Sequence, residues 1–497
     1  MPIKPRYLWL SVLLLGLFFD ILFWNKLPGI SFPIFIFLGL IAGFSVIAGA
    51  GLRPAPASLL LLPPIIFTAL MFAVRLEPMT AFLTATMTLF LMAVLALTYL
   101  GGKWLWYSLP DYVVRLALLA FSVLARGGMY IFQNFQSFRD QPRQDASSRL
   151  RSLWPVLRGI LIALPILIVL TALLASADLV FSQRLGDIAG IFKLEKVTEY
   201  LLRGAIILSV AYLLAGALLH ASMKSRDASH VLGDKPVKQF LGFTETVIVM
   251  GGVVALFAVF VAIQFQYFFG GEKNINLDGF TYAEYAHRGF GELLAVALFS
   301  LLLLILLSLF SQRENRQRRI IFSMLGAGLV VLVLVILASA LQRMLLYEDA
   351  YGFSRLRTYT HVFMIWLGVL LVAVMVLEIL QRHRIFALAA MLASLGFVVT
   401  LSVINVDGLI AHRNIERAVN GQELDMVYLE SLSDDAVPTV ADAFRMQNIP
   451  APLHDDLGKV LAHYDSHRRG MDDSWQSYNL SSSRANRVLE ELKPELP

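Results

Sequence analysis

IIFSMLGAGLVVLVLVILASALQRM, residues 320–344, runs for 25 positions with one ionisable side chain, Arg343. About 20 predominantly apolar residues suffice to cross the hydrocarbon core of a bilayer as a helix. In hydrocarbon each peptide N–H and C=O must be paired within its own segment, so this stretch is a transmembrane α-helix rather than a strand. Arg313, Arg316, Arg318 and Arg319 stand before it, and Glu348 and Asp349 follow it. Two chemically different faces are thus marked.

Ten more runs meet the same length criterion, near 7–24, 31–50, 57–74, 79–100, 158–177, 201–221, 243–269, 289–310, 359–380 and 385–406. The expected fold class is all-α: a polytopic transmembrane bundle of about eleven spans with a small helical extracytoplasmic C-terminal domain. The composition agrees. Of 497 residues 58% are hydrophobic and 15% charged, against about 25% charged in soluble domains. The Lys4 and Arg6 start resembles a signal peptide, but bulky Phe19-Asp20-Ile21-Leu22-Phe23-Trp24 offers no small-residue cleavage site. The first run reads as a retained span. Pro63-Pro64 and Pro165 predict kinks or close packing in their spans. Residues 111–126 carry Asp111 and Arg115 and end on Gly127-Gly128, which reads as an interfacial helix rather than a twelfth span.

Orientation follows from the loops, because Lys and Arg accumulate on the cytoplasmic side. Lys103, Arg115, Arg126, Arg139, Arg143, Arg149, Arg151 and Arg158 lie between the fourth and fifth spans; Lys224, Arg226, Lys235 and Lys238 precede the seventh. With the four arginines before the ninth span, Arg382 and Arg384, all fall on one side, while 178–200 is mixed. The N-terminus is therefore expected in the cytoplasm and the C-terminus outside. Four units follow: a four-span group at 1–100, a basic cytoplasmic loop with its interfacial helix at 101–157, a seven-span bundle at 158–406 and a polar helical domain at 407–497. Within the last, Ser433 before Asp434 and Asp435 reads as an N-cap opening a helix to Phe444. Ser481-Ser482-Ser483 reads as another cap, for a final helix through Leu489. Two to four short helices are expected after residue 407.

Several local patterns are shared with known proteins. They are Asp20-Ile21-Leu22-Phe23-Trp24, Thr281-Tyr282-Ala283-Glu284-Tyr285-Ala286-His287-Arg288-Gly289-Phe290, Tyr351-Gly352-Phe353-Ser354-Arg355-Leu356-Arg357-Thr358-Tyr359, and Asn414-Ile415-Glu416-Arg417 with Leu424-Asp425 and Tyr428-Leu429. Together they resemble bacterial multi-pass proteins of the domain-of-unknown-function families four-one-five-three and four-one-seven-three. The resemblance implies a bacterial inner-membrane protein and brings no activity with it.

Ionisable residues within spans are costly and are functional suspects by default. Asp20 falls at the outer end of the first span, and Glu284, His287, Arg288 and Glu292 surround the outer start of the eighth. Arg343, Glu348 and Asp349 lie at the outer end of the ninth; Arg355, Arg357, Tyr359 and His361 at the outer start of the tenth. Asn405, Asp407 and His412 leave the eleventh. Either these groups converge on one outward-facing polar pocket, or they are interfacial anchors and salt bridges closing helix ends, with Arg355 and Arg357 paired to Glu348 and Asp349. Glu284 with Glu292 has the makings of an acid/base pair, and Arg355 with Arg357 of an anion clamp. Glu284-x-x-His287 has the di-iron spacing but no second copy, and His463-x-x-x-His467 lacks a third ligand; no metal is expected. Gly251-Gly252 and Gly326-Ala327-Gly328 read as small-residue helix contacts.

No cysteine is present, which excludes disulfides and thiolate chemistry. No phosphate-binding loop, nucleotide fingerprint, nucleophile elbow or nucleic-acid module occurs, so no cofactor and no nucleic acid is implied. The partners expected are the lipid bilayer and an extracytoplasmic protein. Three function classes remain open: a transporter or lipid-handling permease, a sensor or assembly scaffold acting through the C-terminal helices, and a membrane enzyme on an extracytoplasmic substrate.

Overall fold

A computed structural model describes residues 5–139, 194–223, 225, 239–269, 290–382, 385–447, 449–468 and 474–496. Among these the regular structure is helical. The helices before residue 405 are α1 (Pro5–Phe23), α2 (Ser31–Ala48), α3 (Pro56–Leu59), α4 (Leu62–Phe72), α5 (Pro78–Thr98), α6 (Leu109–Arg139), α7 (Leu194–Met223), α8 (Phe243–Phe269), α9 (Phe290–Phe310), α10 (Arg316–Tyr351), α11 (Arg355–Ile379) and α12 (Phe386–Ile404). Then come α13 (Val406–Val419), α14 (Met426–Glu430), α15 (Val437–Phe444), α16 (Ala451–Arg468) and α17 (Leu480–Leu492).

Nine of the described helices are long and apolar enough to cross a membrane: α1, α2, α5 and α7 to α12. The eleven-span expectation is met only at that coarser level. Its run at 158–177 lies outside the described residues. Its run at 57–74 is broken into α3 and α4, with the break at Leu60-Leu61, just ahead of Pro63-Pro64. Proline fits the first turn of a helix, where its missing N–H is not needed, and cannot continue one from behind. Accordingly α4 starts afresh at Leu62 with proline in its first turn.

The helix over 111–126 does not stop at Gly127-Gly128 but continues to Arg139. A helical glycine costs only about 1 kcal/mol relative to alanine, too little to end a run whose next residues are again apolar. The C-terminal stretch holds five α-helices rather than two to four. Its last cap is Asn479, whose side chain accepts from the Ser481 amide, not the serine triplet.

Two ends of the bundle can be told apart by contact. At one end the amide of Ala55 bonds Tyr99 O at 2.8 Å, Leu100 N reaches Ser225 Oγ at 3.1 Å, and Leu241 pairs with Phe310 and Gln312. Arg313 and Glu378 meet there at 2.6 Å. This end carries Lys103, Arg313, Arg316, Arg318, Arg319 and Arg382. At the other end α1, α4, α10 and α12 finish, α5 and α11 begin, and helices α13 to α17 lie against them. The 36-residue α10 is ~54 Å long at 1.5 Å per residue, so it passes beyond the apolar layer.

Close helix contact in lipid depends on small residues, because burial from hydrocarbon into protein yields no hydrophobic gain. Antiparallel α1 and α7 meet every four residues: Asp20 with Arg203, Gly16 with Ile207, and Leu8 and Val12 with Ala211 and Ala215. A Cβ on Gly16 would stand 2.5 Å from Ile207 O, and one on Gly216 only 2.3 Å from Val123 O of α6. The sequence singled out other glycines. Gly326 does touch Leu304 and Met250, but Gly251, Gly252 and Gly328 face open space. Substitution should separate the two kinds. Gly216→Ala should lower the thermal stability of the detergent-solubilised protein by about 1–3 kcal/mol, the range for overpacking. Gly251→Ala should be neutral or stabilising, up to about 1 kcal/mol; equal losses at both sites would refute this packing.

Candidate functional site

The best-built polar region lies where the C-terminal helices meet the ends of α4, α5, α11 and α12. Its centre is Asp435, 2% exposed. One carboxylate oxygen accepts from the amides of Leu76 at 2.7 Å and Glu77 at 3.0 Å, and from Ser433 Oγ at 3.2 Å. The other accepts from Ser481 Oγ at 2.6 Å and lies 3.5 Å from the Arg75 guanidinium. Arg75 itself donates to the carbonyls of Ser402 and Val403 at the end of α12. One buried acid therefore joins the α4–α5 turn, the start of α17 and, through Arg75, α12.

Asp407 makes a second centre. It is fully buried and takes a two-pronged grip from Arg355 of α11, at 2.8 and 2.7 Å. The Ser433 amide donates to it as well, at 2.7 Å. Paired geometry of this kind is the strong form of a charge-assisted hydrogen bond. The Arg355 amide bonds the Tyr428 hydroxyl at 2.8 Å, and its guanidinium reaches Ser431 O. Glu77 completes the cluster. Its carboxylate caps α5, accepting from the amides of Met79 and Thr80 and from Thr80 Oγ1, and the Tyr359 hydroxyl donates to it.

Further bonds tie the same elements. Leu480 N donates to Ala73 O at 2.9 Å, Ile30 N to Tyr478 O at 2.8 Å, and Asp434 accepts from Ser482. Ser433 fulfils its expected capping role by accepting from the Asp435 amide. Burial pushes the phenols of Tyr464 and Tyr428 up. Tyr464 thus stays a donor to the carbonyls of Leu429 and Leu432.

The sequence-predicted residues fall into separate groups. Arg355 and Asp407 are brought together, and neither Glu348 nor Asp349 partners Arg355. Asp20 is held by Arg203 at 2.5 Å, with Glu199 3.7 Å from the same guanidinium. Arg357 donates to Gly352 O and lies over the Tyr347 ring; Arg417 donates to the carbonyls of Asp349 and Ala350. Both arginines therefore serve the C-terminus of α10, where a cation suits the exposed carbonyls. Arg343 approaches Gln264. Asp349 and Glu292 are exposed, and Glu284, His287 and Arg288 lie outside the described residues.

Glu348 differs from the other acids. It is fully buried, neither oxygen has a hydrogen bond among the described residues, and its neighbour is His361 Nδ1 at 3.3 Å. Sequence reading passed over Arg75, Glu77, Asp435 as a ligand of the α4–α5 turn, and Arg203. The proline after Glu77 was the available signal for the α5 cap. No group of three or more His, Asp or Glu side chains that could hold a metal occurs among the described residues; the rings of His463 and His467 stack at 6.1 Å.

The family model described as domain of unknown function DUF4153 matches residues 62–443. This is about three-quarters of the chain, from the first residue of α4 to within one residue of the end of α15. The chain belongs to that family. No curated protein and no solved structure matches it.

Removing one member of a buried pair leaves the other charged and unpaired, at a cost of about 3–5 kcal/mol. Arg355→Ala and Asp407→Ala should each destabilise by that order in thermal or denaturant unfolding of the solubilised protein. The double variant should lose clearly less than the sum; additive losses would mean that the two do not act as a pair. Asp435→Ala, which strands two backbone amides and Arg75, should expose the segment after Gly421 to limited proteolysis. An unchanged digestion pattern would count against the clamp.

Proposed function

We propose that this protein is a membrane-embedded scaffold of the bacterial inner membrane, whose C-terminal helices form a fixed platform on the extracytoplasmic ends of its spans and present it to a protein partner there. The observation that carries this reading is the satisfaction of the Asp435, Asp407 and Glu77 carboxylates. Each is consumed by backbone amides, hydroxyls or a guanidinium that hold one element to another. A carboxylate so engaged is an anchor: a general base would need a free oxygen directed at a substrate.

Orientation rests on charge. The end with Arg313, Arg316, Arg318 and Arg319 suits the cytoplasm, which puts the platform outside. Transport is less well supported. The buried hydroxyls of Thr84 and Thr98 bond carbonyls four residues earlier in their own helix, and that of Thr88 bonds such a carbonyl and Thr68 Oγ1 of α4, so these groups are engaged in holding helices. Surfaces for a partner exist on the platform, where Val427 and Met446 are 78% and 56% exposed.

The absence of native cysteine makes orientation directly testable. Met446→Cys should react with a membrane-impermeant maleimide in intact spheroplasts, whereas Arg316→Cys should react only after permeabilisation; the reverse pattern would overturn the orientation. For the scaffold itself, gently solubilised wild-type protein should run in native gels as a larger complex than the purified chain. Asp435→Ala should collapse that complex to the chain alone. Migration of the wild type as the bare chain would refute a stable scaffold.

A further inference from the structure

We propose that a cavity of about 670 Å³ lined by α5, α6, α9, α11 and α12 is a binding site for one acyl chain of a bilayer lipid. Small-molecule sites occupy about 300–1,000 Å³, so this is a binding volume rather than a packing defect. Four of its five walls are helices long and apolar enough to span a membrane, which sets it at hydrocarbon depth. Its lining is almost entirely aliphatic and aromatic. The two large polar side chains in it have spent their donors elsewhere: the Tyr112 hydroxyl on Trp104 O and the Trp366 indole on Thr400 Oγ1. What remains for a polar guest is the hydroxyls of Thr86 and Ser394. Apolar cavities of this kind stay dry and take apolar guests.

The mouth identifies the guest. Leu109, Val113 and Leu298 line the cavity, yet are 47%, 63% and 41% exposed. All three belong to α6 and α9, so the cavity opens sideways between these helices onto the surface that faces lipid. The α12 wall runs from Ala387 to Val398, ~16 Å at 1.5 Å per residue. That is about half of the ~30 Å hydrocarbon thickness, the depth that a chain from one leaflet reaches. An apolar site of single-leaflet depth, open laterally to the bilayer, fits the hydrocarbon of a phospholipid whose headgroup stays outside.

Trp366 on the cavity wall provides the reporter. Full-length protein is placed in nanodiscs whose lipids carry bromine on the acyl chains, which quench indole emission on contact. The Trp366 share is the difference between wild type and Trp366→Phe. That share should be lost in brominated lipid and recovered in Ala390→Phe, which fills the cavity, in a protein of unchanged helical content. Retention of Trp366 emission in the wild type would show an empty cavity. Equal quenching with and without the filling substitution would show annular lipid only, and either outcome overturns the proposal. If Ala390→Phe fails to fold, a variant-free measurement decides. A phospholipid with a photoreactive group on its acyl chain should label the Ala387–Val398 peptide well above equally apolar but outward-facing parts of α8, and even labelling would refute the site.

Discussion

The carboxylate of Asp435 is the point on which the arrangement of this molecule turns. It sits where the α4–α5 turn, the 3-10 turn before α15 and the first residues of α17 converge. It supplies an acceptor to two backbone amides that no helix could satisfy. An amide buried without a partner costs about 1–3 kcal/mol. Asp435 offsets that cost for two amides and balances the Arg75 cation at the same time. Asp407 and Glu77 repeat the device nearby, each serving as acceptor for one element and partner for a side chain of another. Five C-terminal helices are thereby fixed to the bundle by polar bonds, alongside a shared apolar core that includes Val362 of α11 and Leu401 of α12.

The two ends of the bundle use charge in different ways. At the basic end the Arg313–Glu378 pair is the principal buried ion pair, supported by Ser308 and by the Phe322 ring under the guanidinium. Around it Arg316, Arg318, Arg319 and Arg382 are exposed, as expected where a helix end meets water and lipid headgroups, while Arg115 is buried over the Tyr107 ring. At the opposite end Glu77, Asp407 and Asp435 are buried and their cations Arg75 and Arg355 partly so. This is the pattern of an internal joint. Between the two, cohesion comes from shape: glycines at Gly16 and Gly216 allow backbones to touch, and leucine, valine and phenylalanine fill the space beyond.

Much of this was legible in the residues themselves. The spans over 243–269, 289–310, 359–380 and 385–406 lie within a few residues of α8, α9, α11 and α12, because the length of an apolar run is a local property. Ser433 was recognisable as a cap for a similar reason: an N-cap acts on amides two or three residues away. The misreadings are also local. Gly127-Gly128 and Ser481-Ser482-Ser483 carry residue types that favour an ending or a start. The helix through the glycines continued over further apolar residues, and Asn479 stood one position ahead of α17, better placed to cap it.

The chain alone determined that this is a helical membrane protein with one strongly basic face, because hydrocarbon constrains each segment separately: its backbone must bond to itself and its side chains must be apolar. Only the tertiary structure decided which acid meets which base. Arg355 could have paired with Glu348 or Asp349, a few residues away, yet it holds Asp407, 52 positions on. Asp435 serves amides more than 350 positions earlier. Charge is a property of a residue, but a partner is a property of a place. That place exists only after α11 and α12 have packed and set the start of α13 beside the start of α11.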